Sequence, residues 1–306
     1  MVSLSPAALA GPLRDWFAHR HTEQQQADVL DEDDASGHVT IPAGVRVLRD
    51  IPYGPDALQR MDIYLPPKAN GAPVLFMVHG GGWRRGDKGA KAVVENKMTR
   101  WVAKGFIFVS ANYRLLPGTA PLEQAQDVAS ALATAQRKAT GWGGDPSKFM
   151  LMGHSAGAHL VALLSASPTM AFDLGARAWL GTVALDSAAF DVVRIMDNRH
   201  LRLYDQAFDD DRTYWKKVSP LHVLTARATP LLAVCSTRRA DSCQQAHGFA
   251  TAATSLGVRV TVLEQDLSHR DINQRLGVEG GYSDAVELFL GTLDESVRRR
   301  LATSGM

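Results

Sequence analysis

The 306-residue chain is 45% hydrophobic and sets 33 Lys plus Arg against 32 Asp plus Glu, a net charge of +1. That length and apolar content suffice for one large α/β domain or two small ones, and the even charge balance removes the electrostatic case for nucleic acid, an anionic membrane surface or a highly charged polymer as partner. No run approaches the roughly 18 apolar residues of a membrane span, and no basic leader precedes a long apolar stretch at the amino terminus.

Residues 1–44 read as an amino-terminal arm. Leu9, Leu13, Trp16 and Phe17 fall at helical spacing, and a polar, acidic connector (HTEQQQADVLDEDDASGH) follows. The arm is expected to be either part of a lid or a surface appendage. A main domain then runs over 45–303, with strands predicted at 45–49, 59–65, 74–78, 106–112, 149–152, 180–185, 231–235 and 258–263 and helices between most of the later ones. Strands alternating with helices imply a mainly parallel sheet. The turn at Asp56 instead suggests an antiparallel hairpin at one edge. Across about 190–224 the alternation fails and charged and aromatic residues mix (Asp191, Arg199, Tyr204, Phe208, Tyr214, Trp215), so this insertion reads as a cap over a pocket, with surface decoration as the alternative.

One segment carries chemistry. The apolar run ending at Met152 passes through Gly153-His154-Ser155-Ala156-Gly157 into an alanine-rich amphipathic stretch. That is a strand turning sharply into a helix with a serine at the apex, a nucleophile elbow. A serine hydroxyl is a poor nucleophile near neutral pH and must stand where a base can reach it. Gly153 and Gly157 lack the β-carbons that would collide at so tight a turn.

Upstream, the run Val-Leu-Phe-Met-Val ends in His79-Gly80-Gly81-Gly82-Trp83. Glycines here let backbone N–H groups converge on a developing oxyanion, which commonly contributes about 2.7 to 4 kcal/mol to a transition state. Gly81, Gly82 and Ala156 are the expected donors. No GxxxxGK[ST] occurs and no GxGxxG follows a strand, so nucleotide binding is not indicated.

Ser155 needs a base, and in this architecture the acid and then the histidine come later in the chain. His269, in the loop EQDLSHRDIN past the last predicted strand, is the expected base. His159 lies one helical turn below the apex and reads as structural. Asp241, in the loop after the strand at 231–235, is the expected acid, with Asp266 and Asp271 as rivals in the histidine's own loop. Trp83, His154, Leu116 and Trp215 are expected to contact substrate, and Arg114 is expected to pair with Asp127. Cys235 and Cys243 are too few for a disulfide framework, and Cys235 reads as a buried thiol, which fits a cytoplasmic protein. Neither HExxH nor a cysteine–histidine zinc spacing occurs, so no metal or other cofactor is expected. A small ester is the expected partner, and self-association is left open.

HGGGW, ANYRLLP, GHSAGAHL, SPLHV and SHRDIN together resemble the α/β-hydrolase branch that holds hormone-sensitive-lipase-like carboxylesterases, feruloyl-esterase-like proteins and kynurenine formamidases. The resemblance spans about 45–293. It implies an eight-stranded α/β-hydrolase sheet flanked by helices, a Ser155–Asp241–His269 triad and an oxyanion role for Gly81 and Gly82. His154 stands where many lipase-like members have Asp, and Gly82 stands where formamidases often have an aromatic residue. The implied activity is ester hydrolysis through an acyl-enzyme, with aryl formamide hydrolysis as the alternative. A non-catalytic ligand receptor on the same fold is the remote third reading.

Overall fold

A computed structural model describes residues 37–302. The proposed helix and most of the arm therefore lie outside the described residues. All eight predicted strands form: β1 (Arg46–Pro52), β2 (Arg60–Leu65), β3 (Ala72–Val78), β4 (Ile107–Ala111), β5 (Gly144–His154), β6 (Gly181–Leu185), β7 (Leu231–Ser236) and β8 (Val260–Gln265). They build one sheet in the order β1-β2-β4-β3-β5-β6-β7-β8. β1 and β2 pair antiparallel as the hairpin expected at one edge, β2 also runs antiparallel to β4, and every other pairing is parallel.

The sheet is covered on both faces, which is why its central strands are apolar at every position rather than at alternate ones. Val74, Phe76, Val78, Phe149 and Leu151 point into one apolar cluster, which the helices α2 (Pro121–Lys138) and α3 (Ala156–Ala166) close. Their neighbours Leu75, Met77, Met150 and Met152 point into the other, closed by α1 (Lys91–Ala103) and by the carboxyl-terminal helices. α2 shows how local chemistry sets a helix boundary. Pro121 occupies its first turn with Glu123, and Arg137 and Lys138 occupy its last, so both ends of the helix dipole face opposite charge. The expected pair forms here as a fork, Arg114 Nε and Nη2 donating to Asp127 at 2.8 and 2.7 Å. Gln59 donates to the same carboxylate from the start of β2, at 2.8 Å, tying sheet edge to helix.

After β5 the chain forms α3 and the short α4 (Thr169–Phe172). The insertion that follows β6 is helical: α5 (Val192–Met196), α6 (Arg202–Phe208) and α7 (Arg212–Lys217). The fold ends with α8 (Ser242–Ser255) between β7 and β8, then α9 (His269–Arg275), α10 (Gly281–Gly291) and α11 (Glu295–Ala302). β3 lies between β4 on one side and β5 on the other, so the chain reverses its direction of travel across the sheet there. Loops leaving β3 and β5 diverge at that point, and a crevice opens at the carboxyl ends of the strands.

The two cysteines overturn the expectation of free thiols. Cys235 near the end of β7 and Cys243 in the first turn of α8 form a disulfide, their Cα atoms 5.0 Å apart. The strand-to-helix turn brings the two together, which spacing in sequence does not reveal. Among the described residues no helix is long and apolar enough to cross a membrane.

Candidate active site

Ser155 sits between β5 and α3 with φ of 53° and ψ of −118°, a conformation that costs a non-glycine residue of order 1–3 kcal/mol and clusters at functional sites. Its neighbours explain why the turn is so tight. A β-carbon on Gly153 would lie 2.4 Å from the carbonyl oxygen of Gly157, and one on Gly157 would lie 2.3 Å from that of His79. Strand, helix and glycine loop therefore meet in van der Waals contact only because both positions lack a side chain. Ser155 N–H donates to Leu185 O at 2.9 Å, so the elbow is also stitched to β6.

In the glycine loop, Gly81, Gly82 and Trp83 all have positive φ (100°, 58° and 61°). The loop is held from behind: His79 Nδ1 donates to Gly80 O at 2.8 Å, the ring stacks on Tyr113 at 4.5 Å, and Tyr113 Oη lies 3.1 Å from His79 O. Burial drives His79 towards its neutral form, opposed by the Gly80 carbonyl. Gly82 and Ala156 line one cleft with Ser155, and as the first residue of α3 Ala156 has an N–H that the helix itself cannot satisfy. Gly81 does not reach the cleft wall. Its carbonyl turns the loop instead, accepting from Arg84 N and Arg85 N at 3.1 Å each.

The cleft, about 280 Å³ with its open mouth, is walled further by Trp83, Asp186, Ala188, Leu203, Tyr204 and Arg239. Leu203 and Tyr204 come from α6, so the insertion expected to form a cap supplies part of the cleft wall. Trp83 joins the two parts: its ring meets Phe208 at 5.0 Å and Tyr204 at 5.9 Å, and its Nε1 donates to His159 Nδ1 at 3.2 Å. His159 Nε2 then donates to Val218 O at 2.7 Å. This histidine is structural, as expected, and burial pulls its pKa down to about 4 against the weaker pull of the Val218 carbonyl.

Of the four residues expected to contact substrate, only Trp83 is on the cleft wall. His154 is wholly buried behind His269, their rings 4.5 Å apart, and its Nε2 donates to His269 O at 3.2 Å. Burial and then the neighbouring His269 hold His154 well below the usual histidine range. Leu116 is tied by its backbone N–H to Trp83 O at 2.9 Å, and Trp215 Nε1 donates to Phe208 O and Asp209 O at 3.1 Å each, bracing the cap from within.

The expected acid is corrected. Asp241 is an exposed residue directly before α8 whose side chain makes no capping bond, Asp266 is on the surface with Arg238 Nε at 2.7 Å, and Asp271 lies within α9, its carboxylate 3.5 Å from Arg275. The carboxylate that holds His269 is Asp186, directly after β6, whose Oδ2 is 2.5 Å from His269 Nδ1. Asp186 also has a positive φ, 54°, and its N–H donates to Val234 O at 2.8 Å. Its Oδ1 accepts from Ser236 N at 2.8 Å and from Ser242 Oγ, and its Oδ2 accepts from Arg239 Nη1 at 2.8 Å. Burial opposes ionisation of this carboxylate most strongly. The charges of Arg239 and His269 and the bonds from His269 and Ser242 together outweigh it and hold Asp186 well below the usual carboxylate range. A signal was present in the sequence: GTVALD places an acid at the end of a buried strand beside the elbow's own strand, with His154 opposite Leu185 in the ladder.

The sheet order with the elbow, glycine loop and acid–histidine pair gathered at its carboxyl edge defines an α/β-hydrolase fold. Esterase B of Lactobacillus rhamnosis superposes with a TM-score of 0.71 at 18% identity, covering 94% of this chain and 98% of that one. A model of the BD-FAE family matches residues 61–242, and the chain belongs to that family. Among curated proteins, esterase LipQ of Mycobacterium tuberculosis is 38% identical over 122 residues, 39% of this chain and 28% of LipQ. A probable isoprenylcysteine alpha-carbonyl methylesterase of Arabidopsis thaliana is 26% identical over 290 residues, 85% of this chain and 60% of the relative. The chain thus spans less than two thirds of the length of these relatives. Among the described residues no group of three or more His, Cys, Asp or Glu is disposed to hold a metal ion.

Proposed function

We propose that this protein is a carboxylesterase-type serine hydrolase in which Ser155 is the nucleophile, His269 the base and Asp186 the acid. The observation that carries this reading is the 2.5 Å Asp186–His269 contact beside a strained serine elbow, with Asp186 and Ser155 on the wall of one cleft. With Nδ1–H donated to Asp186, the Nε2 lone pair of His269 is the one left for base work. Ser155 Oγ loses its proton to Nε2 as it bonds to the ester carbonyl carbon, and the carbonyl electron pair moves onto oxygen. Backbone N–H groups of Gly82 and Ala156 stabilise that oxyanion. The carbon–alkoxy bond then breaks and the alkoxide takes the proton from His269. Water adds to the acyl carbon by the same route, and Ser155 recovers its proton as the carboxylic acid leaves.

The apolar part of the cleft wall (Trp83, Ala188, Leu203, Tyr204) supports small uncharged esters with short or aryl acyl groups. The names of the similar esterases support ester over amide. Covalent labelling by a fluorophosphonate probe, lost in Ser155→Ala, tests the nucleophile. Turnover of a p-nitrophenyl short-chain ester against N-formylkynurenine tests the substrate, and a strong preference for the latter would favour the formamidase reading. The disulfide supports an oxidising compartment over the cytoplasm. Alkylation of both cysteines in untreated protein from its native host would reverse that assignment.

A further inference from the structure

Among the described residues, the loop from 236 to 242 supplies three of the four side-chain and backbone donors to the Asp186 carboxylate, His269 being the fourth. Ser236 N, Ser242 Oγ and Arg239 Nη1 all converge on the Asp186 carboxylate from this one loop, and the Cys235–Cys243 disulfide closes the loop at its neck. Arg239 is the only charged member of this cradle. Its guanidinium also donates to the Asp186 carbonyl at 3.0 Å and stands 2.9 Å from His269 Nδ1. Nδ1 cannot both donate to Asp186 and accept from Arg239. The 2.5 Å contact to a carboxylate that already receives Arg239 fixes Nδ1 as the donor, so the guanidinium lies against the imidazole edge without bonding to it.

We infer that Arg239 is a positioning residue that sets the proton affinity of His269, by sharing the Asp186 carboxylate with it. The inference rests on the triad reading proposed above. Two cations then compete for one buried anion whenever the imidazole is protonated. A cation this close disfavours the imidazolium, whereas the carboxylate favours it. Arg239 therefore keeps His269 neutral, and able to act as a base, to lower pH than an unshared Asp186 would allow. The other groups around the ring are His154 from the end of β5, held neutral by burial; Lys97 of α1, which donates to Asn273 O at 2.6 Å beneath α9; and Tyr282 of α10, which donates to Ile272 O at 2.9 Å. Asp271 and Arg275 on α9 and the Arg238–Asp266 pair lie towards solvent. None of these bridges the acid and the histidine.

The test titrates His269 by imidazole NMR in a Ser155→Ala background, with the resonance assigned by its loss in His269→Asn. In Arg239→Gln, and in Arg239→Met as a second neutral variant, the midpoint is expected to rise by about one pH unit or more, the usual scale for an adjacent charge. Arg239→Lys should return it most of the way. In the Ser155 enzyme, the acidic limb of kcat/KM moves upward with the same variants. An unmoved midpoint in either folded neutral variant overturns the inference, as does a lysine variant that titrates like the neutral ones. Loss of fluorophosphonate labelling in the unmutated protein would instead overturn the triad reading and leave the titration result standing.

Discussion

The two halves of the cleft are built by different physics. On the β3 and β5 side, the elbow and the glycine loop are fixed by steric exclusion: Gly157 has backbone carbonyls of Val78 and His79 within 2.4 Å of where its β-carbon would be. On the β6 and β7 side, Asp186 is fixed by charge and hydrogen bonds, with Ser236, Arg239, Ser242 and His269 all converging on its carboxylate. The first arrangement is local and forces residue types at fixed spacing. The second is assembled from three loops far apart in sequence, and any of several carboxylates would satisfy its sequence pattern.

Substitutions separate the two halves. The largest effect is expected at Ser155: Ser155→Ala should lower kcat for a short-chain ester by about 10⁵ to 10⁶, as removal of a triad nucleophile does. Asp186→Asn should cost about 10³ to 10⁴ in kcat by losing the acceptor that fixes the His269 tautomer. Asp241→Asn should stay within about twofold, and the reverse ranking of those two aspartates would restore the assignment expected from sequence. On the steric side, Gly157→Ala should destabilise the fold by roughly 3 kcal/mol or more, read as a lowered urea midpoint, because backbone rather than a movable side chain fills the space.

Acid should loosen the join between the halves and the cap. His159 has its pKa pulled down to about 4 in the fold, against about 6.5 in an unfolded chain. The unfolded state thus binds a proton that the native state refuses. The stability is fully present above about pH 6.5 and is lost as pH falls towards 4, by on the order of 3 kcal/mol at most. Urea midpoints across that range should fall more steeply in the wild type than in His159→Gln, whose side chain does not titrate. Among the stability effects, the smallest is expected of the disulfide. Cys235→Ser with Cys243→Ser should cost about 2 to 3 kcal/mol, the loop-closure value for so short a ring, and should raise KM or lower kcat only as far as the cradle around Asp186 loosens.

Sequence alone determined the strands, the elbow and the glycine loop, because burial on both faces demands continuous apolar runs and close backbone approach demands glycine at set places. It also anticipated the pairing of Arg114 with Asp127, and it named His269, which stands at the first residue of α9 rather than in a loop, its Nδ1 against Asp186. It did not identify Asp186. An aspartate at the end of an apolar strand looks like any strand terminus until the β6 and β7 loops meet, and Asp241 is nearer the expected loop position but faces solvent. His154, Leu116 and Trp215 were misjudged for a related reason: nearness in sequence to the chemistry does not say which way a side chain points. The pairing of Cys235 with Cys243, the place of α6 on the cleft wall and the sharing of one carboxylate between Arg239 and His269 were decided by tertiary structure, since each depends on distances between segments that no local pattern encodes.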